Sequence, residues 1–205
     1  MTLTLLMSPM FKKTAHVVSV LAMLFGFGTM AHAGNLIDTQ LAVEAGAGYA
    51  SFAQGPVANA TNGGLGWDMR LVFGAHSPIG LELGYVGTSN ALAGVSNFTL
   101  MSNAFEGDLR LGTPTFGLIP VQAYGFGGAG VNRFSLVHSG VNTTTITDGD
   151  TTAEVPAGAG LQFNLSDHVA LDTRFTYRFM FDQQVTDRRD NADMYTITAR
   201  IGFVL

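Results

Sequence analysis

From residue 34 to the C-terminus, apolar residues alternate with small, polar or charged ones at a period of two. That is the pattern of a pleated strand whose two faces meet different surroundings. The last residues show it most plainly: Tyr195, Ile197, Ala199, Ile201 and Phe203 fall on one face, and Thr196, Thr198, Arg200 and Gly202 on the other. Val169, Leu171, Thr173, Phe175, Tyr177 and Phe179 alternate in the same way with Asp172, Arg174, Thr176 and Arg178. Trp67, Met69, Leu71 and Phe73 do so with Asp68, Arg70 and Gly74. No window sustains a helical stripe. Eight strands are predicted, at 40–52, 67–75, 79–87, 98–111, 116–134, 151–165, 169–181 and 194–205. The fifth is so rich in Gly and Ala that its faces do not separate, and Phe126 within it is open to either side.

The connections alternate too. His76-Ser77-Pro78, Thr113-Pro114-Thr115 and Ser166-Asp167-His168 are short and carry turn-forming residues. Stretches 53–66, 88–97, 135–150 and 182–193 are long and polar. Hairpins with short turns at one end and long loops at the other are the pattern of a transmembrane barrel, whose short turns face the periplasm.

Which face is the core decides between a membrane barrel and a soluble sandwich. In a sandwich the large apolar face points inward and charges point out. Here one face is almost continuously apolar, and the other carries Glu44, Asp68, Arg70, Glu82, Glu106, Asp108, Arg110, Glu154, Asp172, Arg174, Arg178 and Arg200, spaced by glycines. Lysine, the usual residue of solvated strand edges, is absent from these strands. Lipid outside explains the apolar band. A narrow lumen filled by side chains explains the charges, which must pair because an unpaired buried charge costs several kcal/mol. The tyrosines and Trp67 near strand ends suit an aromatic girdle. The predicted fold is therefore all-β: an eight-stranded antiparallel transmembrane β-barrel with up-and-down meander order.

Composition agrees. Of 205 residues 47% are hydrophobic and 12% charged, 26 are Gly and none is Cys, which excludes a disordered chain and a disulfide scaffold. A net charge of −5 argues against a nucleic-acid partner. The one apolar run near helical-span length is Val17 to Met30, after Lys12 and Lys13 and before Ala31-His32-Ala33. A basic stretch, a short apolar core and an A-x-A site describe a secretory signal peptide. Residues 1–33 are accordingly expected to be removed after Ala33, leaving 34–205 as the barrel domain, and Met10 offers a second start beside Met1.

Val43-Glu44-Ala45-Gly46-Ala47-Gly48-Tyr49, Ile119-Pro120-Val121-Gln122-Ala123-Tyr124-Gly125 and Pro156-Ala157-Gly158-Ala159-Gly160-Leu161-Gln162-Phe163 resemble strands of the small outer-membrane barrels, the OmpA-like, OmpX-like and opacity-type surface proteins. Leu161 to Tyr177 looks like the tight turn and hairpin near the end of that group. The last strand, with Tyr195, Ile197, Ala199, Ile201 and Phe203, is similar to the C-terminal signal that the barrel-assembly machinery reads, although Val204 and Leu205 follow Phe203. The resemblance implies a Gram-negative outer-membrane location, with lipid and lipopolysaccharide around the barrel and the assembly machinery as a partner. Larger members carry a peptidoglycan-binding domain after the barrel. This chain ends at the eighth strand, so that role is not expected of it.

Three places raise the question of chemistry. His138-Ser139 with Asp148 and Asp150 share one long loop and bring to mind a lipid hydrolase, but no strand fixes their geometry. Asp148-Gly149-Asp150 and Asp187 to Asp193 lack the ligand spacing of a calcium loop and read as solvated acidic tips. The interior charges are either an ion path or a plug that shuts the barrel. Seven acids nearly balance five arginines, and eight strands leave little open cross-section. The expectation is a closed structural or surface-interaction barrel with four exposed loops and with no catalytic residues, cofactor or metal. A narrow pore or carrier for small hydrophobic solutes comes second and a lipid-A-modifying enzyme third.

Overall fold

The structure is a computed structural model and describes residues 40–75, 77–114, 120–138, 149–181 and 192–205, with His138 by its main chain alone. Eight antiparallel strands close into a barrel in which each pairs with its sequence neighbours and the last pairs with the first. They are β1 (Leu41–Phe52), β2 (Gly64–Phe73), β3 (Ile79–Ala91), β4 (Phe98–Gly112), β5 (Val121–His138), β6 (Gly149–Asn164), β7 (Val169–Phe181) and β8 (Met194–Val204), with one short helix, α1 (Gly55–Ala60), between β1 and β2. The closing pair runs without a break from Ala42↔Val204 to Phe52↔Met194. Closure leaves no open sheet edge, which a chain in hydrocarbon cannot tolerate. Among the described residues no helix is long and apolar enough to cross a membrane.

Small local devices set the turns. Gly74 takes φ 76° at the end of β2, where its amide donates to Gln40 O at 2.9 Å and its carbonyl accepts from Ser77 N at 3.0 Å. Between β6 and β7, Ser166 Oγ accepts from the amides of His168 and Val169 at 3.3 and 3.1 Å. Thr113 Oγ1 accepts from Ala123 N at 3.2 Å and so fixes the start of β5.

Several strands are longer than predicted, and apart from one residue, Gly112 at the turn end of β4, the extensions run toward the long loops. β2 begins at Gly64 rather than 67, β3 continues to Ala91 rather than 87, β5 to His138 rather than 134, and β6 begins at Gly149 rather than 151. Pairing continues beyond the apolar band there, so a reading keyed to outward apolar residues stops too early. At its other end β5 begins at Val121, after Pro120, whose missing N–H suits it to the position before a ladder. Residues 116–119 of the predicted fifth strand, and residue 115 of the turn before it, lie outside the described residues.

The two faces of β5 are now resolved. Gln122, Tyr124, Phe126, Asn132, Phe134 and Leu136 are buried in the lumen, whereas Val131, Arg133 and Val137 are exposed outside. Pro156 in β6 interrupts the β5–β6 ladder between Gly127↔Ala157 and Gly130↔Glu154 without changing register. α1 was not foreseen. Its six residues are too few to show a helical period, and what holds it is burial of Val57 at the barrel mouth and a 2.8 Å bond from Thr61 Oγ1 to Val57 O.

Candidate functional site: the filled lumen

Alternation places the twelve sequence-predicted charges at inward positions of β1–β4 and β6–β8, and none is more than 6% exposed. Arg70 is the hub. Its guanidinium reaches Asp108 at 2.7 Å, Glu106 at 2.6 Å, Asp68 at 3.3 Å and Glu82 at 3.6 Å. Arg174 donates to Glu82 and, at 2.9 Å, to Asp108, and lies over the Phe126 ring at 3.2 Å. Arg178 donates to Glu106 at 2.5 Å and Thr196 at 3.1 Å and lies 3.8 Å from Glu154. Arg200 meets Glu44 at 3.2 Å, Asp68 at 3.7 Å, Asp172, and the Tyr124 hydroxyl at 2.6 Å. Arg110 donates to Gln162 at 2.5 Å, lies 3.6 and 3.9 Å from Glu82 and Glu44, and stacks on Tyr124 at 3.8 Å.

Each arginine thus spans the lumen to acids on other strands. Their guanidiniums fit because glycines face them. A Cβ on Gly84 would sit 2.8 Å from Arg70 Nη1, and one on Gly158 would sit 2.6 Å from the Phe126 ring beneath Arg174. Several neutral members escaped the sequence reading. Gln162, Tyr124, Asn132 and Ser102 bond within the network, Gln122 is buried in the lumen and donates to Thr113 O, and Phe126, which the sequence leaves open to either side, faces inward. Four of these, Gln122, Tyr124, Phe126 and Asn132, lie on β5, whose alternation is masked by its glycines. Tyr124 corrects the girdle expectation, since its hydroxyl lies among the charges and it is 4% exposed. The other tyrosines face out. Tyr49 and Tyr195 lie 6.1 Å apart, Tyr85 packs on Phe105 at 5.3 Å and Tyr177 on Phe179 at 4.7 Å, ring centre to ring centre.

On the loop side of the charges the lumen turns apolar. Phe52, Phe98, Leu100, Phe134, Leu136, Met180 and Met194 pack together, with Val57 of α1 and Leu92 and Ala192 from the loops. Phe52 and Phe134 meet at 6.1 Å. A smaller apolar group, Ala42, Val72, Ala75 and Val204, lies at the turn end. The outer face changes over the same stretch. Along β4 the inward residues go from Arg110, Asp108 and Glu106 to Leu100 and Phe98, while the outward ones go from Leu109 and Phe105 to Asn103 and Thr99. Along β5, Phe134 and Leu136 are inside with Arg133 and Ser135 outside. Along these two strands the barrel is inside-out in its lower part and has an apolar interior behind a more polar wall above it, with Met101 and Val137, and Leu65 on β2, apolar outward residues that remain there. That reversal marks where hydrocarbon gives way to water.

The other sequence candidates divide. His138 ends β5, and Ser139 to Asp148 lie outside the described residues, as do Asp187 and Asp190. Asp150 opens β6 and accepts from Thr151 N at 2.8 Å. Asp193 is a correction: it is no solvated tip but 3% exposed. It accepts from Gln54 Nε2 at 2.8 Å, Tyr177 Oη at 3.4 Å and Met180 N at 3.1 Å, and its carbonyl accepts from Ala53 N at 2.7 Å. A lone acid flanked by loop residues carries no sign of such partners, which come from the first loop and β7. Among the described residues no group of three acids or histidines could hold a metal ion. Tyr195, Ile197, Ala199, Ile201 and Phe203 form the lipid-facing side of β8, beside the seam with β1.

The family described as "Outer membrane protein beta-barrel domain" matches residues 19–204. No curated protein matches the chain. Among solved structures, Neisserial surface protein A is similar at 16% identity and a TM-score of 0.60, over 80% of this chain and 96% of that one. Ail, the attachment invasion locus protein of Yersinia pestis, is similar at 13% identity and a TM-score of 0.54, over 82% and 100%. The N-terminal β-barrel domain of Pseudomonas aeruginosa OprF is similar at 12% identity and a TM-score of 0.52, over 82% and 99%. At these identities the likeness is one of fold.

Proposed function

We propose that this chain, which belongs to the outer membrane protein beta-barrel domain family, is a sealed scaffold that displays its loops at the cell surface. Family membership puts the barrel in the outer membrane. Short turns then face the periplasm and the long connections face outward. The observation that carries the proposal is the lumen, filled by cross-tied charges in its middle and capped by apolar packing at its outer mouth. Loops on such a rigid frame are free to bind partners without disturbing the fold.

The reading includes neither conduction nor catalysis. Every ionisable group gathered in the lumen is turned toward another, closed off from lipid and from solvent. In planar bilayers the refolded protein is expected to show no steady conductance, and a stable ohmic step would overturn the seal. Cleavage of acyl esters by the purified protein, abolished by His138→Ala, would overturn the non-enzymatic part.

Export belongs to the same reading: a signal peptide cleaved after Ala33, and delivery to the assembly machinery by the β8 face from Tyr195 to Phe203. N-terminal sequencing of the membrane-fraction protein should begin at Gly34. Heat-modifiable gel migration, with proteolysis of intact cells, tests barrel and orientation together.

A further inference from the structure

The outer wall departs from apolarity at one charged position. Among the described residues at outward-facing strand positions, Arg133 alone carries a charge. It is exposed, and among the described residues no carboxylate pairs with it. Its place is specific. The cross-strand row through it runs Trp67, Gly87, Asn103, Arg133, Thr151, and the row one step toward the turns runs Met69, Tyr85, Phe105, Val131, Ala153. The first is the row at which polar residues enter the outer wall of β4 and β5, and the second is the last continuously apolar row below it. Tyr85 Oη donates to Asn103 Oδ1 at 2.6 Å, which leaves the Asn103 amide nitrogen free to donate on the same side as the Arg133 guanidinium.

Directly below is a groove of about 570 Å³ lined by Met69, Leu71, Leu83, Tyr85, Phe105 and Gly107. Gly107 makes the dent, because a Cβ there would meet only Leu83, at 3.8 Å. Phe105, 71% exposed, rises on its loop side. A cationic fork beside an amide donor at the water boundary, above an open apolar slot, fits one kind of molecule: an acylated lipid with a phosphate on its headgroup. Arginine matches phosphate through paired N–H donors. On the loop side of an outer membrane that lipid is lipopolysaccharide.

We propose that Arg133 and Asn103, with Tyr85 holding Asn103 in place, seat a lipid A phosphate while one acyl chain lies in the groove over Gly107. The seat rests on the outward orientation of the loops argued above. The test uses the refolded full chain in detergent, titrated with bisphosphorylated lipid A, dephosphorylated lipid A and phosphatidylglycerol, with adducts counted by native mass spectrometry. Bisphosphorylated lipid A is expected to bind roughly tenfold or more tightly than the dephosphorylated form, the discrimination a charge-assisted contact supports, and more tightly than phosphatidylglycerol, whose phosphodiester carries one charge where a lipid A phosphomonoester carries up to two. Arg133→Gln should remove that preference and Arg133→Lys keep part of it. Gly107→Phe, which fills the slot, should weaken both forms of lipid A together. Equal binding by wild type and Arg133→Gln would overturn the seat, as would phosphatidylglycerol binding as well as lipid A. A wild-type chain without heat-modifiable migration would overturn the barrel itself, a failure separate from that of a folded barrel indifferent to phosphate.

Discussion

The middle of the lumen and its outer mouth solve one problem, filling a cylinder of eight strands, with opposite chemistry. In the middle, arginines and acids are enclosed by a wall whose outside is hydrocarbon, and each charge is held by partners on other strands. At the mouth, phenylalanines, leucines and methionines pack as they would in any soluble core. Inside a membrane the usual incentive is absent, because an apolar side chain gains nothing by leaving lipid for the lumen. The outward positions take the apolar residues and the inside is free to be polar, provided that it is fully paired. Above the bilayer water returns to the outer wall, and burial of apolar surface again contributes its usual ~25 cal/mol per Å². One closed sheet passes through both regimes. Outward rise along β7 fits the boundary: from Leu171 to Phe181, at ~3.3 Å per residue and a tilt near ~40°, the apolar wall climbs roughly 25 Å.

The comparison is broken most directly in the charged middle. Arg174→Ala takes from Glu82 and Asp108 the arginine that bridges them, leaving the two buried acids to Arg70 and Arg110, and removes the cation from the Phe126 face. It should destabilise the barrel by about 3–5 kcal/mol, the usual cost of breaking a buried ionic pair. The urea midpoint of refolded protein measures it, and an unchanged midpoint would mean that the charges are wetter than their burial indicates. Phe134→Ala attacks the mouth instead. Phe134 is 1% exposed, and its loss should cost about 3 kcal/mol, as in a soluble core. Bilayer conductance should stay at baseline, because the charged layer below still closes the lumen.

How much of this was legible depended on which regime a residue occupies. The strands, their order and the charged positions could be read, because mid-strand Asp, Glu and Arg opposite continuous apolar residues fit no soluble sheet. The mouth could not. Phe98, Leu100, Phe134 and Leu136 keep the inward parity of Glu106 and Arg110, but an apolar residue in a lipid-facing barrel reads as outward, so the inward place of Phe98 and Leu100 is not legible in the fourth strand and the fifth is predicted to stop at Phe134, short of Leu136. Gly125, Gly127 and Gly130 erased the contrast between the faces of β5 and hid Tyr124 and Phe126. Arg133 lay in a strand whose faces were unassigned and so was not singled out.

The reversal itself is sharpened by moving one charge along one face. Ala129 and Ser135 both point out from β5, below and above Arg133. Ala129→Lys places an ammonium in the apolar band and should cost about 2–4 kcal/mol, whereas Ser135→Lys should cost about 0–1. Refolding titrations into lipid vesicles read both. Equal costs would move the boundary away from the Asn103–Arg133 row.

A local effect, smaller than those of the charged middle and the apolar band, is expected at the seam between mouth and loops. Asp193 accepts from Gln54, Tyr177 and the Met180 amide, and so ties the segment after β1 to the end of β7. Asp193→Asn keeps the shape but exchanges one acceptor for a donor facing other donors. About 1–2 kcal/mol should be lost, the range for a buried hydrogen bond left unmade. The loss should be local, because the pairing of β1 with β8 and the charges beneath do not depend on this carboxylate. Protease cleavage on the loop side should rise roughly five- to thirtyfold, following the opening equilibrium, while the urea midpoint moves far less than for Arg174→Ala. If the two readouts shifted in proportion, mouth and middle would be one cooperative unit, and the division between a membrane-type and a water-type interior would be structural without being energetic.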